Sequence, residues 1–185
     1  MKELSLHILD IMHNSIAAKA SLITLTLIED EEKDSLFFEI KDNGKGMSEA
    51  LVEQVINPFV TGRTTRRVGL GIPLLKAAAE QTGGGITLTS QEGVGTVISA
   101  RFGYRHIDRQ PLGDMAETML GLITSYEDID FVYRHEVNGN EYLLDTAQMR
   151  QILGGVPFSQ PEVVLWLSEF LKENESALYN GEKAE

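Results

Sequence analysis

Apolar residues recur with a helical period over residues 3–19. At about 100° per residue, Leu4, Ile8, Ile11, Met12 and Ile16 share one face. His7, Asp10, Asn14 and Ala18 share a neighbouring face. The small residues Ala17 and Ala18 beside that polar flank leave room for a ligand. From Ser21 to Glu29 the period changes to two, with Ile23, Leu25 and Leu27 on one side and Thr24 and Thr26 on the other, which predicts a strand. Glu29–Asp34 reads as a turn and Leu36–Ile40 as a second strand. Ser48 is a candidate N-cap for a helix running to about Ile56, and Asn57-Pro58 stops it. Val60–Val68 is polar and basic without an apolar period and reads as a mobile loop. Gly69–Gln81 reads as a helix, with Pro73 in its first turns, where a missing N–H costs little. Ile86–Ser90 and Thr96–Phe102 are strands joined by the turn Glu92-Gly93-Val94-Gly95.

The second part repeats the mixture on a smaller scale. His106–Gly113 reads as a linker and Asp114–Ser125 as a helix. Phe131–Val137 and Glu141–Leu144 form a hairpin around Asn138-Gly139-Asn140, a strong type I′ signal. Thr146–Leu153 and Pro161–Glu173 are helical, and the last dozen residues are expected to fray. The predicted class is α+β: helices on one face of a mostly antiparallel sheet, with residues 1–105 as a main domain and residues 106–185 as a small acidic α+β extension.

Composition narrows the function. A length of 185 residues with 42% hydrophobic content suits one domain and a modest annex. Cysteine is absent, so disulfides, thiol nucleophiles and Cys-ligated metal sites are excluded. No apolar run is long enough for a membrane span, and the expected location is cytoplasmic. The net charge of -12 is unevenly placed: residues 1–105 hold 11 Lys/Arg against 13 Asp/Glu, and residues 106–185 hold 5 against 15. Such acidity disfavours nucleic acid as a partner, because phosphate needs clustered positive charge. It serves solubility, or a docking face for a basic protein.

Several side chains suit nucleotide chemistry. Asp10 and Asn14 are spaced i,i+4 and point to one side of the first helix. A neutral amide oxygen suits Mg²⁺, and a carboxylate one turn away can deprotonate a hydroxyl or water. Asp42 ends a strand ahead of Gly44 and Gly46. There a buried carboxylate would accept from the exocyclic amine of adenine and repel the carbonyl of guanine, and leaving it unpaired would cost about 1–3 kcal/mol. Glycines in that turn could let a base approach bare backbone. Gly69-Leu70-Gly71 opens a helix, whose free N–H groups suit phosphate. Arg63, Arg66, Arg67 and Lys76 could add charge, and the Thr96 hydroxyl could reach the base. Taken singly, each has a plainer reading: a solvated flank, an Asx turn, a loop-to-helix corner, a hairpin. No Gly-x-x-x-x-Gly-Lys-Ser/Thr loop is present, which excludes that ATPase class.

Their order along a matching pattern of strands and helices resembles the GHKL ATPase domain of sensor histidine kinases, anti-sigma serine kinases, gyrase, Hsp90 and MutL. Asp10–Ala17 resembles the N box and Asp42-Asn43-Gly44-Lys45-Gly46-Met47 the G1 box. Asn57-Pro58-Phe59 resembles the approach to the ATP lid. Val68-Gly69-Leu70-Gly71-Ile72 resembles the G2 box, and Glu92-Gly93-Val94-Gly95-Thr96 the last glycine box. The resemblance covers about residues 1–104. It implies an α/β sandwich that binds Mg-ATP, with Asn14 on Mg²⁺ and phosphate, Asp42 on the adenine amine and the helix start at Gly69–Gly71 on the phosphates. Gly44, Gly46, Met47 and Thr96 would complete the pocket, and Asp10 would be the catalytic base. Two positions depart from the family pattern: Asp10 replaces a Glu, and Arg67 replaces the Gly at the front of the G2 box.

Histidine kinases carry a helical phosphoacceptor domain ahead of this one, and only thirteen residues precede Asn14. The expectation is therefore a stand-alone kinase that passes the γ-phosphoryl of ATP to a protein partner, by analogy with the anti-sigma kinases. The alternatives are an ATP-switched interaction module, and a slow ATPase without a phosphoacceptor that forms a homodimer on ATP. His7, His13, His106 and His135 are expected to be ordinary structural or surface histidines.

Overall fold

The computed structural model describes residues 2–57 and 69–181. Pro58 and Phe59, the basic loop Val60–Val68 and its Arg63, Arg66 and Arg67 lie outside the described residues. The chain runs α1 (Leu4–Ala17), β1 (Leu22–Asp30), β2 (Ser35–Asp42), α2 (Glu49–Ile56), α3 (Gly71–Gln81), β3 (Gly85–Gln91) and β4 (Gly95–Gly103). It continues through α4 (Met115–Ser125), β5 (Asp130–Val137), β6 (Asn140–Asp145), α5 (Thr146–Leu153) and α6 (Pro161–Asn180). The α+β class and the two-strand, helix-rich extension are as the sequence predicts.

Alternation dictates the layers. Every second residue of β1, Ile23, Leu25 and Leu27, is fully buried, as are Leu36 and Phe38 of β2 and Phe131 and Tyr133 of β5. These side chains pack against the apolar stripes of α1 (Leu4, Ile8, Met12), α3 (Leu75, Ala79), α4 (Met119, Ile123) and α6 (Leu167, Leu171). Each large side chain so removed from water contributes about 1.5–3 kcal/mol. The opposite face of the sheet carries Thr24, Thr26, Glu39, Lys41 and Arg101 at its intervening positions and is partly or fully exposed.

The six strands lie in the order β3-β4-β2-β1-β5-β6. All neighbours are antiparallel except β1 and β5, which run parallel from Leu22↔Asp130 to Glu29↔Val137. Residues 106–185 therefore continue the same sheet at the edge of β1. The stretch read as a linker is tied back onto α1: the carbonyls of Pro111 and Leu112 accept from the amides of Leu4 and Ser5, which lack intrahelical acceptors.

Local signals recur in the structure. Ser48 caps α2 by accepting from the amide of Leu51, and Asp114 caps α4 by accepting from that of Glu117. Asn138 and Gly139 both take positive φ, 50° and 87°, as a type I′ turn requires. One expectation is overturned. The tail does not fray after Glu173; α6 continues to Asn180 and stops at Gly181, whose φ is 70°. Leu178 is buried and the side chains of Glu175 and Tyr179 bond to the sheet, so the extra turns are held by packing that the polar run Glu173-Asn174-Glu175-Ser176 conceals.

Candidate functional site

Asp42 is the last residue of β2 and points to the helix-covered side with Phe38 and Ile40. It is 8% exposed. The Ser15 hydroxyl donates to its Oδ2 at 2.6 Å, and the Gly44 amide donates to its Oδ1 at 2.9 Å. Thr96 is its register partner on β4. The Thr96 hydroxyl lies 2.8 Å from that of Ser90, which also accepts from the amide of Met47 at 2.8 Å. Asp42, Ser90, Thr96 and the backbone of Met47 thus form one polar strip where the helix-covered face ends.

The glycines of this region are used by the protein's own chain. A Cβ on Gly46, whose φ is 67°, would stand 1.9 Å from the carbonyl oxygen of Gln91. One on Gly95, at φ 141°, would stand 2.0 Å from the carbonyl oxygen of Asp42. One on Gly44 would meet the Ala18 carbonyl oxygen at 2.8 Å. The space expected to stay open for a base is, at these three positions, filled by neighbouring backbone. The loop is pinned accordingly: the Lys45 amide donates to Ala18, and the Lys45 carbonyl accepts from Gly93. The glycines fix where the Asp42 turn sits between α1 and the β3–β4 turn.

On α1, Asn14 is exposed and its amide side chain has no hydrogen-bond partner among the described residues. Asp10, one turn earlier, is partly buried, and the start of α3 rests on it: a Cβ at Gly71 would lie 1.7 Å from Asp10 Oδ2. No side chain caps α3, so the amides of Gly71 and Ile72 have no acceptor among the described residues, and Pro73 has no amide hydrogen to satisfy. Gly69 and Leu70 are exposed just ahead of them. Helix α1 therefore joins the parts, with Ser15 holding Asp42 while Asp10 meets α3. The Lys76 ammonium donates to Asn57 Oδ1 at 3.2 Å.

Ser15 and Ser90 were not singled out from sequence. Ser15 had a signal: it falls i+3, i+4 and i+7 from Met12, Ile11 and Ile8, a hydroxyl on the core stripe. Ser90 had none beyond its place in a strand. A depression of about 430 Å³ is lined by Leu22, Thr24, Lys41, Asp42, Ser90 and Thr96 among others. Among the described residues no three His, Asp or Glu side chains cluster as metal ligands. Asn14 suits Mg²⁺ in that setting, since this ion takes few protein oxygens and completes its shell with water and phosphate.

His7 is buried, with Nε2 3.1 Å from Gln110 Oε1, and burial lowers its pKa. His13 is exposed beside the ring of Tyr126. His135 is wholly inaccessible, with Nε2 3.0 Å from Glu29 and Nδ1 2.8 Å from Glu175.

A family model described as "Histidine kinase-, DNA gyrase B-, and HSP90-like ATPase" matches residues 2–106. The chain is 27% identical over 97 residues to the sensor histidine kinase YvrG of Bacillus subtilis, covering 50% of this chain and 17% of that protein. It is 33% identical over 88 residues to the sensor histidine kinase WalK of Bacillus subtilis, covering 45% of this chain and 14% of that protein. The chain thus spans a small part of the curated relatives it matches. Among solved structures, the Aquifex aeolicus MutL ATPase domain complexed with ADP superposes with a TM-score of 0.50 at 14% identity, covering 83% of this chain and 70% of that one. Among the described residues no helix is long and apolar enough to cross a membrane.

Proposed function

The chain belongs to the histidine kinase-, DNA gyrase B- and HSP90-like ATPase family, and from that premise we propose that it binds Mg-ATP between α1 and α3 and passes the γ-phosphoryl to a protein partner. The observation that carries the nucleotide reading is the buried Asp42 carboxylate, held by Ser15 and the Gly44 amide at the mouth of the sheet beside Thr96. In this reading the adenine amine donates to Asp42, with Gly44, Gly46 and Met47 shaping that side of the pocket. The uncapped start of α3, from Gly69 through Gly71, faces the phosphates with free amides. Asn14 would hold Mg²⁺, which would neutralise phosphate charge. Asp10 would accept the proton of the attacking hydroxyl.

A transfer reaction also needs a substrate group within reach of Asp10, and the uncapped helix start resting on Asp10 supports that placement. The other reading, an ATP-switched interaction module, draws on the carboxylate being Asp: it is shorter by a methylene than the Glu of the family pattern. Residues 1–105 would carry the nucleotide in either case, and residues 106–185 would supply the surface that meets the partner.

The separating experiment is Asp10→Asn, assayed for nucleotide binding and for transfer of labelled γ-phosphate into native extract. Binding should survive and labelling should collapse. Partner association that follows nucleotide whatever stands at position 10 would favour the switch and count against transfer.

A further inference from the structure

Helix α6 is 20 residues long and buries one side, with Val163, Leu167, Leu171 and Leu178 inward. Its outer flank is not the charged surface such a helix normally shows. Trp166 is 46% exposed and stacks on Phe170 with ring centroids 5.6 Å apart, and Leu165 beside them is 62% exposed. Glu162, Glu169 and Glu173 stand around this aromatic pair at i-4, i+3 and i+7 from Trp166, all exposed. None of the three makes an ion pair among the described residues. Lys172 is the single base on the helix against four glutamates. Like charges at i,i+4, as in Glu169 and Glu173, cost an isolated helix roughly 0.2–0.5 kcal/mol. The arrangement is unfavourable for the free protein on both counts, exposed aromatic surface and unpaired like charge.

The helix is nonetheless held in one rotation. Glu175 accepts from the Tyr133 hydroxyl at 2.8 Å and from that of Tyr142, and it meets His135; Tyr179 reaches Glu29. These bonds on the sheet side fix which residues face outward, so the aromatic flank is presented rather than merely left over.

We propose that the Trp166–Phe170 flank of α6 is the docking site of a basic amphipathic protein segment. Charge complementarity chooses the occupant. Residues 106–185 carry 5 Lys/Arg against 15 Asp/Glu, and the carboxylates ring an apolar centre rather than spreading over a polar surface. Apolar residues of the segment would cover Trp166 and Phe170, arginine side chains would lie on the indole face, and their neighbours would pair with Glu162, Glu169 and Glu173. An anionic membrane or a nucleic acid would be repelled by the same carboxylates.

Trp166 is the only tryptophan in the chain, so its emission reports this flank alone. The full chain is titrated, without nucleotide, with a synthetic amphipathic helix of leucine and arginine. A scrambled peptide of the same composition, lacking an apolar face, serves as reference. The amphipathic peptide should give a saturable blue shift, and the scrambled one a weaker response. The triple variant Glu162→Gln, Glu169→Gln, Glu173→Gln should bind about tenfold more weakly. The variant Glu31→Gln, Glu32→Gln, on the exposed β1–β2 turn, should bind as wild type does. An unmoved emission, or equal loss in both variants, would overturn the proposal. So would a blue shift that appears with protein concentration alone together with a dimer in sedimentation, since a second copy would then be the occupant. With nucleotide absent throughout, the outcome does not depend on the ATP reading.

Discussion

At the scale of single residues the site depends on how Asp42 is held. A buried carboxylate that loses one of two donors pays a desolvation penalty, so Ser15→Ala should destabilise the fold by about 1–3 kcal/mol. It should also weaken ATP binding, because the carboxylate is then free to turn. Chemical denaturation alongside a nucleotide titration checks both, and unchanged values would mean that Ser15 does not position Asp42. Gly71→Ala separates geometry from stability in the opposite way. Alanine favours a helix over glycine by up to about 1 kcal/mol, and the added methyl meets only the tip of the Asp10 side chain. Thermal stability should hold or rise while the Asp10 carboxylate is displaced and turnover falls at least about tenfold; turnover equal to wild type would remove Asp10 from the chemistry. The sequence made Asp42, Asn14 and Asp10 legible because they stand at strand ends or at helical spacing. The core stripe marks Ser15 as buried, but its partner is 27 residues away, and a serine in a helix carries no local sign of what it touches.

At the scale of elements, α6 shows where sequence patterning loses its grip. Its apolar period weakens after Leu171, and Glu175 in the polar run that follows looks solvated, yet it turns inward to accept from two tyrosines and face a buried histidine. Buried charge is tolerated only when paired, and here the partners come from β1, β5 and β6. Burial alone would lower the pKa of His135, but its hydrogen bonds to Glu175 and Glu29 and their negative charges outweigh that and raise it from 6.5 to about 9. The folded value lies above the unfolded one. Its contribution is therefore complete below about pH 6.5 and is lost as pH rises through about 9. Melting temperature should fall across that window in the wild type and fall less in His135→Gln. A wild-type profile no steeper than that of the variant would show that the imidazolium is not what anchors α6. The hairpin β5–β6 and the caps of α2 and α4 were legible for the converse reason, since Asn-Gly, Ser and Asp act on their own backbone.

At the scale of the whole molecule, the class and the order of elements followed from periodicity, while the join between the two halves did not. Antiparallel neighbours close in sequence announce themselves through short turns; the parallel pairing of β1 with β5 links residues about a hundred positions apart and has no local signature. That pairing puts the acidic extension at one side of the sheet, with β3 and β4 at the other. The polar strip at Asp42 and Thr96 lies between β2 and β4, so the aromatic flank of α6 and the nucleotide pocket proposed here belong to separate regions of one sheet. The central claim is that Asp42 reads adenine, and calorimetric titration of ATP and GTP, with magnesium, into wild type and Asp42→Asn tests it most directly. Wild type should bind ATP in preference to GTP, and Asp42→Asn should lose both the affinity and the preference. ATP binding of equal strength in the two proteins would contradict the account.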